Sequence, residues 1–115
     1  MSMSTYLKNK VLNDNLRTST VYAALFTSDS VEVNGASYAR QAITFIVPTE
    51  GQTSNGADVL FPIATETWGN ITHVGIFDSL TGGNLLFQSN AEFIKNIDVS
   101  SQYKVPKNYL IVRLK

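Results

Sequence analysis

The sequence predicts an all-β domain, a jelly-roll-like antiparallel β-sandwich of about seven to eight short strands, with a short α-helix at its N-terminal end. Three observations carry that expectation. Beyond residue 20 the chain is a series of short runs rich in Val, Ile, Phe, Tyr and Thr, which suit a pleated, half-buried surface. Clusters of Gly, Asn, Ser, Asp and Pro interrupt these runs with turn chemistry. The strands do not alternate with helices, which disfavours a parallel α/β sheet. At 115 residues the chain fits one domain with one hydrophobic core.

Residues 4–17 lack Gly and Pro and carry Tyr6, Leu7, Val11, Leu12 and Leu16. They predict a helix of about three turns, at 3.6 residues per turn, with Ser4 or Thr5 as its N-cap. The apolar side chains do not form one stripe: Leu7 and Val11 share a face, and Leu12 and Leu16 lie on another. Residues 1–19 are therefore expected to form a helical arm and possible docking element, and residues 20–115 the sandwich. The plainer expectation for the helix is that it packs on its own domain.

Residues 21–27 read as the first strand. Residues 28–37 are rich in turn formers and contain Asn34-Gly35, the strongest short hairpin signal in the sequence. Residues 38–47 read as a strand closed by Pro48, 49–56 as a polar loop, and 57–63 as a further strand. Residues 71–77 and 85–89 flank a connection, 78–84, whose Gly82 and Gly83 are able to take positive φ. Asp78 at its start is expected to bind backbone amides that follow it. Two final strands are expected over 94–99 and 109–114, with Leu110, Val112 and Leu114 facing one way.

Charged residues make up only 16% of the chain, below the usual level of about 25%. Ser, Thr, Asn and Gln replace them, giving a neutral polar surface suited to packing against neighbours. Nine basic and nine acidic residues cancel and the basic ones are scattered, so no field for nucleic acid is concentrated anywhere. There is no cysteine, which fits assembly inside a cell or a fold that needs no disulfides. No apolar run approaches the roughly 20 residues needed to span a bilayer, and no membrane partner is expected. The first seventeen residues have no apolar core of a signal peptide.

Catalytic chemistry is poorly provided for. The single histidine, His73, lies within a predicted strand, and one imidazole without cysteine does not make a zinc site. The carboxylates are dispersed and nothing nominates a pair. Gly82-Gly83 lacks the Lys-Ser/Thr that completes a phosphate loop. No catalytic residue, metal ligand or cofactor is expected. Trp68 has two readings: an exposed ring that stacks on a sugar or anchors an interface, or a lid over one end of the core. Arg40 is expected to pair with a buried carboxylate or with the face of Tyr38. Tyr22, Phe26, Tyr38, Phe45, Phe61, Phe77, Phe87 and Tyr109 all fall on predicted strands and read as core or cross-strand packing.

Three stretches taken together carry a resemblance: Tyr22-Ala23-Ala24-Leu25-Phe26-Thr27-Ser28, Ser37-Tyr38-Ala39-Arg40-Gln41-Ala42, and Thr67 through Asp78 with Thr81-Gly82-Gly83-Asn84-Leu85-Leu86. With Tyr6-Leu7 and Thr53-Ser54-Asn55, they resemble a family of small tailed-phage proteins, commonly labelled tail-fibre or minor structural proteins. Residues 92–107 follow the family pattern poorly. The resemblance implies a virion component without catalytic activity, assembled in the host cytoplasm. Its partners would be other capsid or tail proteins and further copies of itself, a trimer being one arrangement.

Three functions are then in competition. One is a tail- or fibre-associated or head-surface protein used in repeated copies. The second is a capsid decoration protein that cements the head. The third is a carbohydrate-binding module built on Trp68. The absence of shaft repeats or heptads argues against a complete fibre. The candidate interface residues are Tyr6, Leu7, Val11, Leu12, Leu16, Trp68, Tyr109 and Ile111.

Overall fold

A computed structural model describes residues 2–28 and 31–114, the side chains of 92–94 excepted. One helix, α1 (Thr5–Leu16), precedes the strands. These run β1 (Val21–Ser28), β2 (Val31–Glu32), β3 (Gln41–Ile43), β4 (Gln52–Ser54), β5 (Val59–Leu60), β6 (Gly69–Phe77), β7 (Leu85–Ile97), β8 (Lys104–Val105) and β9 (Ile111–Arg113). All pairings between these strands are antiparallel. The fold is an all-β sandwich with one helix, as its alternation and turn chemistry predict.

The helix starts where its hydroxyl cap does. Ser4 is extended, and its Oγ accepts from the Leu7 amide at 3.2 Å, satisfying one of the orphan donors of the first turn. Leu12 and Leu16, four residues apart on one face, are buried in the common core, whereas Tyr6 and Leu7 face solvent. Two polar ties fix the helix on the sheet. Asn9 Oδ1 accepts from the Gly51 amide at 2.8 Å, and Arg17 Nε donates to the Phe45 carbonyl at 3.2 Å.

The larger layer has the order β2-β1-β6-β7, with β3 sharing the β2 edge of β1. Strand β1 pairs with β3 over its first three residues and with β2 at its far end, leaving Leu25 between them. Its amide donates to the Tyr38 hydroxyl (3.1 Å) and its carbonyl accepts from the Val33 amide (2.9 Å), so the interrupted ladder leaves no orphan. The other layer holds two ribbons, β4–β9 and β5–β8. The segment beyond β3 links the layers. The Ile46 amide donates to Ser54 O (3.0 Å) and the Gly56 amide to Thr44 O (2.9 Å). A hydrogen-bonded strip therefore runs β7–β6–β1–β3–β4–β9 around the core.

Four details depart from the sequence expectation. Residues 85–89 and 94–99 are not separate strands. Residues 85–89 and 94–97 belong to one long β7, because the nine residues of β6 need a partner along their length, and Asp98 and Val99 lie beyond its end. The two halves join at a bulge, where Ile71 pairs with Lys95 but His73 with Asn90. The polar stretch 49–56 contains β4 instead of being loop throughout. Asn34-Gly35 does not turn a hairpin between β2 and β3, since both lie on the same edge of β1. Gly35 instead sits against Trp68: a Cβ there would fall 2.5 Å from the indole Cδ1. The expected strand 38–47 is β3 plus a bridge at Phe45 to Asn55.

Asn55 is the central polar residue of the core. It is 0% exposed. Its Nδ2 donates to Ala57 O (2.8 Å) and Pro106 O (2.9 Å), and its Oδ1 accepts from the Leu110 amide (2.9 Å). Its backbone carbonyl accepts from Asn108, which has φ 69°. Every polar atom of the side chain is matched, as burial demands. This one residue shapes the turn 106–110 that leads into β9.

Candidate assembly surface

The most elaborate polar cluster is built around Arg40. Its Nε and one terminal nitrogen meet the two carboxylate oxygens of Glu32, both at 2.9 Å, in a bidentate pair. The other terminal nitrogen donates to Ser79 O (2.9 Å) and Gly82 O (2.8 Å). The guanidinium carbon stands 3.6 Å from the centre of the Phe77 ring. Arg40 thus takes its carboxylate as expected, but its aromatic partner is Phe77. Tyr38 reaches the cluster through its hydroxyl, which donates to Glu32 (2.6 Å).

Burial pushes the Glu32 carboxyl upward, but the hydrogen bonds from Arg40 and Tyr38 and the guanidinium charge outweigh it, leaving the group below its ordinary value. Burial, and then the bond to Glu32, raise the Tyr38 hydroxyl far above the usual tyrosine range. Four of the five guanidinium N–H donors are engaged, and the Arg40 charge is matched by Glu32. The cluster pins the 78–84 connection onto the edge of the sheet. It leaves no group poised to take or give a proton.

The other sequence candidates have structural roles. Trp68 is 5% exposed. Its Nε1 donates to Ala36 O at 3.0 Å, and its ring meets Tyr38 edge-on at 5.5 Å. It presents no ring face on which a sugar would stack. His73 Nδ1 lies 2.8 Å from Thr72 Oγ1, within strand β6. Asp78 accepts from the Asn84 amide (2.8 Å) and from the Asn84 side chain (3.0 Å), closing the connection whose Gly82 and Gly83 take positive φ. Among the described residues, no three His, Asp or Glu gather in a metal-binding cluster.

What remains open is the seam of the strip. Strand β7 has only β6 beside it and β9 only β4, so each keeps one edge without a strand partner among the described residues. Between them lies a cleft in two adjoining sections of about 130 and 190 Å³. Phe87, Gln88 and Ser89 of β7 and Ile111–Arg113 of β9 form its walls, with Val74 and Ile76 of β6 beneath. Tyr103, Pro106 and Tyr109 extend it toward β8. Among the described residues, the charged ones lining it are Lys104 and Arg113, both basic. Lys104 already pairs with Asp58 at 3.5 Å, and Arg113 donates to Gln52 at 2.8 Å.

The structure divides the eight candidate interface residues into three groups. Leu12, Leu16 and Trp68 are buried in the protein's own core, and Val11 is half-buried. Tyr6 and Leu7 are exposed on the first turn of α1, and no residue of α1 lines the seam. Tyr109 and Ile111, each 50% exposed, stand together at the seam. Sequence reasoning did not find Val74, Phe87 or Ser89 as its other wall. The run Leu85-Leu86-Phe87-Gln88-Ser89 does not alternate, so the sequence alone does not mark which face turns toward β9.

The comparisons with known proteins bear on the whole chain. No curated protein matches it. A family model described as "Podophage GP4 fiber I protein gp80" matches residues 2–113, which includes α1, the sandwich and both walls of the seam. The chain therefore belongs to this family of phage fibre proteins and is a structural component of the virion, associated with other virion components.

Proposed function

We propose that the protein is a non-enzymatic building block present in repeated copies on the particle surface, and that the seam between β7 and β9 is where a neighbouring copy docks. The seam is the observation that carries this reading. An unpaired strand edge is a template for another strand, and globular proteins ordinarily cover or blunt it. Here two edges with no strand partner among the described residues flank an apolar floor, and Tyr109 and Ile111 stand exposed beside them. An extended segment laid in the cleft would gain main-chain hydrogen bonds from the edges and specificity from alternate side chains. Among the described residues the charged groups at the lining, Lys104 and Arg113, are basic, which favours a neutral or acidic segment.

Attachment at the tail or fibre fits the family better than decoration of the head, and Tyr6 and Leu7 offer a second, smaller contact on α1. The test is association of the purified protein. Sedimentation across a concentration series should show self-association that Ile111→Glu abolishes while leaving the melting temperature unchanged. A protein that stays monomeric at high concentration and binds neither tails nor capsids would overturn the proposal.

A further inference from the structure

Two Asn-Gly steps occur in the sequence, and the fold treats them in opposite ways. In Asn-Gly the glycine amide approaches the asparagine side chain without hindrance, because glycine has no Cβ. At Asn55-Gly56 both reacting groups are occupied. The Asn55 side chain makes three hydrogen bonds in a fully buried site, and the Gly56 amide donates to Thr44 O at 2.9 Å. At Asn34-Gly35 neither is. Asn34 is exposed, and among the described residues neither its side chain nor the Gly35 amide has a hydrogen-bond partner.

We propose that Asn34 is a site of spontaneous deamidation and that Trp68 reports it. The Gly35 nitrogen attacks Cγ, the amide carbon of the Asn34 side chain, and forms a new N–C bond. The bond between Cγ and Nδ2 breaks, and the NH2 leaves as ammonia, carrying the proton lost by the Gly35 amide. Water from the solvent then opens the cyclic imide at either carbonyl, giving aspartate or isoaspartate at position 34.

The consequence follows from what surrounds Gly35. A Cβ on this residue would lie 2.5 Å from Trp68 Cδ1 and 2.9 Å from Nε1, so the backbone has no slack against the ring. The next residue, Ala36, is held at both ends: its amide donates to Glu66 Oε1, and its carbonyl accepts from Trp68 Nε1 at 3.0 Å. Isoaspartate inserts a methylene into the main chain immediately before Gly35. It also adds a negative charge to a loop whose neighbour already holds Glu66. One of these contacts must give way, and Trp68 becomes wetter.

The experiment incubates the folded protein at mildly alkaline pH and follows peptide masses together with the emission of the single tryptophan. The Asn34 peptide should acquire the mass of an NH2-to-OH exchange and an isoaspartyl fraction, with a red shift of Trp68 emission in proportion. The Asn55 peptide should react roughly a hundredfold more slowly, because its three hydrogen bonds must first open. In urea, where no fold protects either step, the two rates should converge. Asn34→Ser should abolish both the mass change and the red shift. Equal rates at the two sites in the folded protein, or no reaction at Asn34, would overturn the assignment. Reaction at Asn34 without any change in Trp68 emission would overturn the coupling to the core.

Discussion

Replacing Asn55 by alanine removes three hydrogen bonds from a site that water does not reach. Their lengths are 2.8, 2.9 and 2.9 Å, and they join residue 55 to Ala57, Pro106 and Leu110. A net contribution of about 1 kcal/mol per bond sets a floor of about 3 kcal/mol, and the buried Leu110 amide left without a partner adds to it. Domains of this size have a total stability of roughly 5–15 kcal/mol, so the loss is a large fraction. At about 4 °C per kcal/mol, the melting temperature should fall by about 12 °C or more. Thermal and urea unfolding followed by circular dichroism will measure it.

Asn55→Asp keeps the shape and sharpens the test. One oxygen would then face two carbonyls that now receive Nδ2. Burial next to those carbonyls raises the carboxyl above its ordinary value of about 3.9. The penalty therefore grows as pH rises through and above that value and shrinks on acidification, as a proton restores one donor. An Asn55→Ala variant within about 1 kcal/mol of the parent, or an Asn55→Asp variant with no such pH dependence, would refute the reasoning.

Further predictions concern the Arg40 cluster and the helix. Arg40→Met should cost about 1–2 kcal/mol, allowing for the partial exposure of Glu32. Because the folded Glu32 carboxyl is held below its ordinary value, its contribution is present above about pH 4.3 and is lost as pH falls through the folded value. The variant should show less of this acid-side loss in urea melts. Tyr38→Phe should cost about 1–2 kcal/mol by leaving the Leu25 amide without a partner. The raised Tyr38 hydroxyl means that parent stability is full below about pH 10 and declines above it, a decline that Tyr38→Phe should reduce. Leu16→Ala should destabilise by about 2–5 kcal/mol, whereas Leu7→Ser should stay within about 0.5 kcal/mol, as the burial of one and exposure of the other require.

The parts of the fold governed by local chemistry were legible in the sequence. Ser4 capped the helix, β1 and β6 followed their apolar pattern, and Asp78 with Gly82 and Gly83 closed the connection it was expected to close. The misses share a physical cause: the deciding interaction is distant in sequence. Thr53, Ser54 and Asn55 look like loop because they are polar, yet they are buried, matched by partners such as Pro106 and Leu110 that periodicity does not see. Gly35 looks like a hairpin turn because it follows Asn, yet its lack of a side chain serves Trp68, thirty-three positions on. Tyr109 and Ile111 are candidate interface residues already in the sequence. That they border an open seam depends on β7 crossing its bulge and on β9 pairing with β4 alone, both of which are properties of the assembled sheet.

Cryo-electron microscopy of intact particles tests the central claim most directly. The account predicts density for this protein in several symmetry-related copies on the particle surface, with a strand of a neighbouring copy lying along β7 or β9 and covering Tyr109 and Ile111. Particles that lack the protein, or copies whose seam faces open solvent, would contradict it.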